Sequence, residues 1–116
     1  MSDENMTSAE EDGEFIELHN LRITVDSIEG PSVCGLEVGD YFEVAGDDTV
    51  SIPEGKRFCM FAMQSVFPLI PAKHRVLAAN DWLEKDALVC CPDPEERVTM
   101  RIERVGTTRY RADDLT

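Results

Sequence analysis

IPEGKRFCMFAMQSVFPLIPAKHRVLAAN, the segment from Ile52 to Asn80, is the only stretch of the chain that is long and apolar enough to cover a sheet. Apolar residues follow Phe58 almost without interruption, which predicts a helix that is apolar around most of its circumference. Such a helix has to be covered on more than one side, by a sheet and by a further layer or subunit. Because proline lacks an amide donor, Pro68 and Pro71 predict that the regular helix ends near Val66 and that a shorter, bent helix follows.

Segments with strand character lie on both sides of this helix. Before it, Leu21, Ile23 and Val25 alternate with polar residues, and a second strand contains Phe42 and Val44. After it, the apolar run at 87–91 and the alternating residues at 98–105 predict two more strands. The sequence therefore predicts an α+β fold, with a small antiparallel sheet of four to five strands on which a central apolar helix and a shorter second helix pack.

The length of 116 residues favours one domain with one core. Residues 1–14 contain six carboxylates and no cation, so they predict a disordered acidic tail. We expect the α+β domain to occupy residues 15–106 and a polar C-terminal tail to occupy residues 107–116.

The overall charge excludes two classes of partner. A net charge of −13 argues against binding to nucleic acid and to anionic membranes. The chain also lacks a basic start followed by an apolar run, and it has no apolar window of membrane-spanning length. We therefore expect a cytoplasmic protein whose four cysteines are reduced thiols.

The central segment departs from the acidic pattern of the rest of the chain. Between Glu54 and Asp81 there is no acidic residue, and four cations lie there: Lys56, Arg57, Lys73 and Arg75. Two interpretations are open. The cations either neutralise carboxylates of the same chain or form an edge that binds an anion or a partner.

Three of the cysteines lie at the ends of predicted elements, where site residues are often found. Cys34 precedes a turn, Cys59 is placed in the first turn of the central helix, and Cys91 ends a strand. The helix dipole and the preceding cations, Lys56 and Arg57, would favour the Cys59 thiolate. Cys90 and Cys91 would point to opposite faces of a strand, so at most one of them can join Cys59. The alternative is that each cysteine is a small buried hydrophobe.

The order of short motifs resembles a known family. The chain carries Cys34, VGDYFEV at 38–44, PEG at 53–55, Cys59 and CPD at 91–93, in that order. This order resembles a family of small prokaryotic proteins of unknown function with the pattern C…GDxF…PxGxC…CPD. The resemblance covers residues 21–105 and departs from the family after Cys59 and before Trp82. It implies a fold and the cysteine set Cys34, Cys59 and Cys91, but no reaction.

Three functions are consistent with the sequence. The first is a binding or accessory module that forms a homo-oligomer through the apolar helix and presents a cysteine pocket to a small-molecule or protein partner. The second is a small metalloprotein that holds zinc or iron through Cys34, Cys59 and Cys91, with His74 as fourth ligand. The third is an enzyme with Cys59 as nucleophile and His74 as base.

Overall fold

The computed structural model describes residues 14–31, 34–85 and 88–115. The predicted disordered tail therefore lies outside the described residues, except for Glu14. The elements are β1 (Phe15–Ile28), β2 (Tyr41–Val44), β3 (Val50–Ser51), α1 (Met60–Val66), a 3₁₀ turn (Phe67–Leu69), α2 (Ile70–Lys73), α3 (Trp82–Lys85), β4 (Leu88–Cys90), β5 (Val98–Arg111) and a second 3₁₀ turn (Ala112–Leu115).

The strands form one antiparallel sheet in the order β3-β2-β1-β5-β4. Ile23 on the central strand lies opposite Phe42 of β2 and Ile102 of β5. All three side chains are buried on the same face, as the period-two alternation predicts. The predicted α+β fold with a five-stranded antiparallel sheet is confirmed.

A helical layer covers this buried face. Helix α1, the 3₁₀ turn and α2 follow one another without a break over residues 60–73, which we call the helical segment. The predicted end of the regular helix near Val66 is confirmed, since α1 ends there and a 3₁₀ turn and the short helix α2 follow. Pro68 and Pro71 each fall in the opening turn of the next piece. In the first turn of a helix the backbone N–H groups have no intrahelical acceptor, so proline removes no hydrogen bond at these positions. Ala62, Val66 and Ile70 face the sheet, and the short helix that follows ends at Lys73.

The two long strands extend beyond the rest of the sheet. Residues 15–20 of β1 pair with residues 106–111 of β5, where the sequence predicted a C-terminal tail. Gly46 of the β2–β3 loop packs against this arm, since an added Cβ would lie 2.7 Å from Leu18 Cβ and 2.8 Å from the Tyr110 ring. The polar residues after 106 are therefore held by strand pairing and by this contact.

Candidate functional site

A tight turn at one end of the sheet positions the candidate site. It joins β4 to β5, and Asp93 Oδ1 accepts hydrogen bonds from the amides of Glu95 (3.0 Å) and Glu96 (3.3 Å). The Arg97 amide closes the turn by donating to the Asp93 carbonyl at 3.1 Å. Arg97 adopts a positive φ of 48°. The turn directs the Glu96 side chain inward, where it is only 2% exposed.

The loop after β1 packs directly against this turn. The Gly30 amide donates to the Glu96 carbonyl at 3.0 Å. A Cβ on Gly30 would lie 1.7 Å from the Glu95 carbonyl oxygen, a separation that no side chain can adopt. Glycine is therefore required here, and its close approach brings the loop that contains Cys34 next to Glu96.

Three of the predicted site cysteines meet around this carboxylate. Cys34 Sγ donates to Glu96 Oε2 at 3.8 Å, and the Cys34 thiol is also hydrogen-bonded to Cys59. Cys91, 3% exposed, feels the charges of both Glu96 and Cys59. We call these four residues the cysteine cluster. Cys90 is exposed and lies outside it, as expected for adjacent residues on a strand.

The surroundings in the cysteine cluster raise the pKa of two of its thiols, those of Cys34 and Cys91. Although part of Cys34 is exposed, desolvation of its thiol, the hydrogen bond with Cys59 and the nearby charges of Cys59 and Glu96 raise its pKa to about 12. Burial is the main cause that raises the pKa of Cys91. Both thiols are therefore protonated at neutral pH, with desolvation the main reason in each case.

An open pocket gives access to two of the cysteines. It encloses about 500 Å³ and is lined by Cys34, Gly35, Arg57, Phe58 and Cys59. Cys59 is the residue before α1, with extended backbone angles, rather than part of its first turn. Its thiol and that of Cys34 are therefore adjacent in a space that solvent and a small molecule can enter.

His74, in contrast, lies far from the cluster. Cys59 precedes the helical segment and His74 follows it, so at about 1.5 Å per residue the two are roughly 20 Å apart. The His74 carbonyl accepts from the His19 amide, and its ring lies against Asp48, with Nδ1 and Oδ1 3.6 Å apart. A general base must lie within about 3.2 Å of its proton or act through a water, so the structure does not pair Cys59 with His74.

The cysteine cluster also differs from a preformed metal centre. Among residues 14–31, 34–85 and 88–115, no three His, Cys, Asp or Glu side chains are placed to hold one metal ion together. The predicted fourth ligand, His74, is at the other end of the helical segment. The thiols are thus neighbours around Glu96 that are not arranged as a set of metal ligands.

The four cations of the central segment do not form one edge. Lys56 pairs with Asp40 at 3.1 Å, and Arg57 lines the cysteine pocket. Lys73 is buried at the end of α2, and Arg75 Nη1 donates to the Pro71 carbonyl at 2.8 Å. The helical segment separates the first two cations from the last two by roughly 20 Å.

Glu96 is the one member of the cluster that the sequence does not single out. Carboxylates are seldom fully buried, and in an acidic chain one more glutamate carries little information. The signal that could have found it is its position in the motif CPDPEE at 91–96. An aspartate such as Asp93 can accept hydrogen bonds from the amides two and three residues later, which forms a turn that directs Glu96 back toward Cys91.

Comparisons with known proteins find no match to a family model, to a curated protein or to a solved structure. The motif order described above therefore remains a resemblance. In the described part of the chain, no helix is both long enough and apolar enough to cross a bilayer.

Proposed function

We propose that this chain is a non-catalytic binding module that forms a homodimer through the outer side of its helical segment and presents the cysteine pocket on each copy. The observation that supports the proposal is the composition of that side. Six residues of the helical segment are exposed, and we call them the outer helix face: Met60, Phe61, Gln64, Phe67, Pro68 and Pro71. Only Gln64 is polar.

The exposed fractions are large for apolar side chains. Met60 is 80% exposed, Phe61 53% and Phe67 42%. Because each is only partly exposed, covering these three would contribute roughly 2.5 to 5 kcal/mol, at about 1.5 to 3 kcal/mol for a fully exposed side chain, before the costs of association. A contiguous apolar surface of this kind on a small protein is typical of an interface.

The apolar surface continues from the helix to the edge of the sheet. A groove of about 310 Å³ runs between them, lined by Val44, Asp48, Val50, Phe67, Ile70 and Pro71. Val50 and Ile52 beside it are 41% and 38% exposed. In a two-fold dimer each copy contributes the same patch, so the groove of one copy can receive the outer helix face of the other.

Charge favours a second copy at this surface over contact elsewhere. Two chains of net charge −13 repel each other, and contact between their acidic surfaces would add to that repulsion. The helical segment contains no acidic residue, and Lys56 is already paired with Asp40. Self-association through the outer helix face therefore brings no carboxylate of the helical segment against the other copy, and Asp48 is the acidic residue that lines the groove.

Light scattering in the presence of a reductant tests the proposal. We expect about twice the chain mass of 13.0 kDa at micromolar concentration, with the dimer strengthened by salt that screens the net charge. Phe61→Asp should shift the mass to that of a monomer. Leu88→Asp is the matched control, because Leu88 is 46% exposed on β4 and neighbours the inward-packed Val89, so it points to the opposite face of the sheet.

A folded wild-type protein that stays monomeric at high micromolar concentration, in both low and high salt, would overturn self-association. The outer helix face would then be left to a different protein. A dimer that Leu88→Asp dissociates and Phe61→Asp does not would equally reject this interface.

A further inference from the structure

We propose that Cys34 and Cys59 are a redox-active dithiol, which a low-molecular-weight disulfide such as a peptide disulfide converts into an intramolecular disulfide bond. This inference does not depend on dimer formation. It rests on the contact between the two thiols, the pocket that exposes them and the buried carboxylate beside Cys34.

The two thiols have different environments, which assigns them different steps. Cys59 is half-buried and lines the pocket. Cys34 donates its proton to Glu96 Oε2 and has a raised pKa. Because the thiolate is the attacking species, Cys59 is the nucleophile toward the reagent, and Cys34 is the thiol that resolves the intermediate.

The reaction balances in two exchange steps. The Cys59 thiolate attacks one sulfur of the reagent, forms a mixed disulfide and releases the first reagent thiolate. Cys34 then transfers its proton to the Glu96 carboxylate, attacks Cys59 Sγ and releases the second thiolate. The two thiolates take up the two protons that Cys34 and Cys59 lose, so the protein is oxidised by two electrons and the reagent is reduced to two thiols.

The surroundings of the pair distinguish it from the other cysteines. Cys91 is buried, where a reagent cannot reach it, and Cys90 is exposed on β4, outside the cysteine cluster. Arg57 lines the same pocket as the pair. Its guanidinium suits a reagent that carries carboxylates, such as oxidised glutathione.

The test uses the full chain, reduced in the presence of a chelator and then incubated with oxidised glutathione. Differential alkylation and peptide mapping by mass spectrometry should show a Cys34–Cys59 link, with Cys91 still reduced. Cys34→Ser should leave glutathione trapped on Cys59, because the resolving thiol is gone. Cys90→Ser is the matched control and should leave closure of the pair unchanged.

Two further variants examine the assigned roles. Glu96→Gln should leave the first exchange unchanged and slow the second, so that the mixed disulfide on Cys59 accumulates severalfold. Arg57→Gln should slow reaction with oxidised glutathione severalfold and leave reaction with the neutral 2-hydroxyethyl disulfide unchanged.

The proposal is overturned if the wild-type protein accumulates glutathione adducts without the Cys34–Cys59 link. It is also overturned if the preferred link joins Cys90 to another chain. Circular dichroism on each variant confirms that the fold is kept. Since dimer formation is measured under reducing conditions, either proposal can fail without the other.

Discussion

Arg104 of β5 and Glu84 of α3 form a bidentate ion pair, with Nη1 2.6 Å from Oε2 and Nη2 2.9 Å from Oε1. The same guanidinium donates to the carbonyls of Lys73 (3.0 Å) and Arg75 (2.6 Å). Glu84 also accepts from the Leu77 amide at 2.9 Å. One side chain therefore ties the end of the helical segment and the following loop to the sheet.

Arg104→Lys should lower the stability of the domain, because one ammonium group cannot replace the forked contacts of the guanidinium. We expect a loss of about 1–3 kcal/mol in the free energy of unfolding, measured with urea. Arg101→Lys is the matched control, since Arg101 pairs with Asp26 on the exposed face at 3.3 Å and should change stability by less than about 0.5 kcal/mol. Equal effects in the two variants would contradict the assigned role of Arg104.

Acid should weaken the fold through Glu84. Hydrogen bonds from Arg104 and Leu77 lower the pKa of its carboxyl from 4.5 to about 2. Between these values the unfolded chain binds the proton more readily, so the contribution of Glu84 is complete above pH 4.5 and is lost as pH falls toward 2. Urea unfolding from pH 6 to pH 2.5 should show the wild-type protein losing its advantage over Glu84→Gln across this window. A constant difference would argue against the pair.

Some of these relationships follow from sequence patterns and others do not. The alternation of Leu21, Ile23 and Val25 predicts their burial, since one register places all three on the core face. The end of α1 at Val66 follows from Pro68 and Pro71, whereas the immediate succession of the 3₁₀ turn and α2 depends on where these prolines fall within each turn. The outer arm at 106–111 is held by pairing with residues 15–20, although its own residues do not alternate.

In the cysteine cluster, too, some features follow from the sequence and others do not. The positions of Cys34, Cys59 and Cys91 at element ends predicted that they could meet, because loops at one end of a sheet lie close together. The proposed fourth residue, His74, lies in the continuation of the same helical segment as Cys59, and the length of that segment places the two at opposite ends. The burial of Glu96 arises from the Asp93 turn and from contact with Gly30, a long-range approach that has no local pattern.

His74 gives a second pH dependence, at higher pH. Burial lowers its pKa below the ordinary value of 6.5, against the opposing charge of Asp48. Below pH 6.5 the unfolded chain takes up the proton first, so stability is complete above this value and declines as pH falls through the folded pKa. His74→Gln should remove this part of the pH profile. NMR titration of the imidazole at or above pH 6.5 would contradict the prediction.

Gly30→Ala should damage the cysteine cluster as well as the fold. The added Cβ would collide with the Glu95 carbonyl oxygen, so the β1 loop and the β4–β5 turn must move apart. We expect a loss of about 1–3 kcal/mol in stability and faster alkylation of Cys91 as its cover opens. Gly35→Ala is the control for backbone strain without collision, because Gly35 has a φ of 75° and an added Cβ there would meet no atom within 4 Å. That variant should leave alkylation of Cys91 unchanged.

The aromatic contact beneath the cysteine pocket connects the core to the site. Phe42 of β2 is fully buried, and its ring meets Phe58 edge to face at a centroid distance of 4.8 Å and Phe67 at 6.4 Å. Phe42→Ala should cost about 3–5 kcal/mol, because it removes the ring that fills this space. Trp82→Ala, at a side chain that is 66% exposed, should cost less than about 0.5 kcal/mol.

Phe42→Leu examines how far this contact extends. It keeps an apolar side chain in the core, so we expect a loss below about 1.5 kcal/mol, while the edge-to-face contact with Phe58 disappears. Phe58 immediately precedes Cys59 and lines the same pocket, so its ring should become more mobile and Cys59 should react faster with a thiol reagent. The rate of Cys90 alkylation on β4 is the internal reference and should not change. An unchanged Cys59 rate in a variant that has lost stability would show that the pocket is positioned by the cysteine cluster alone.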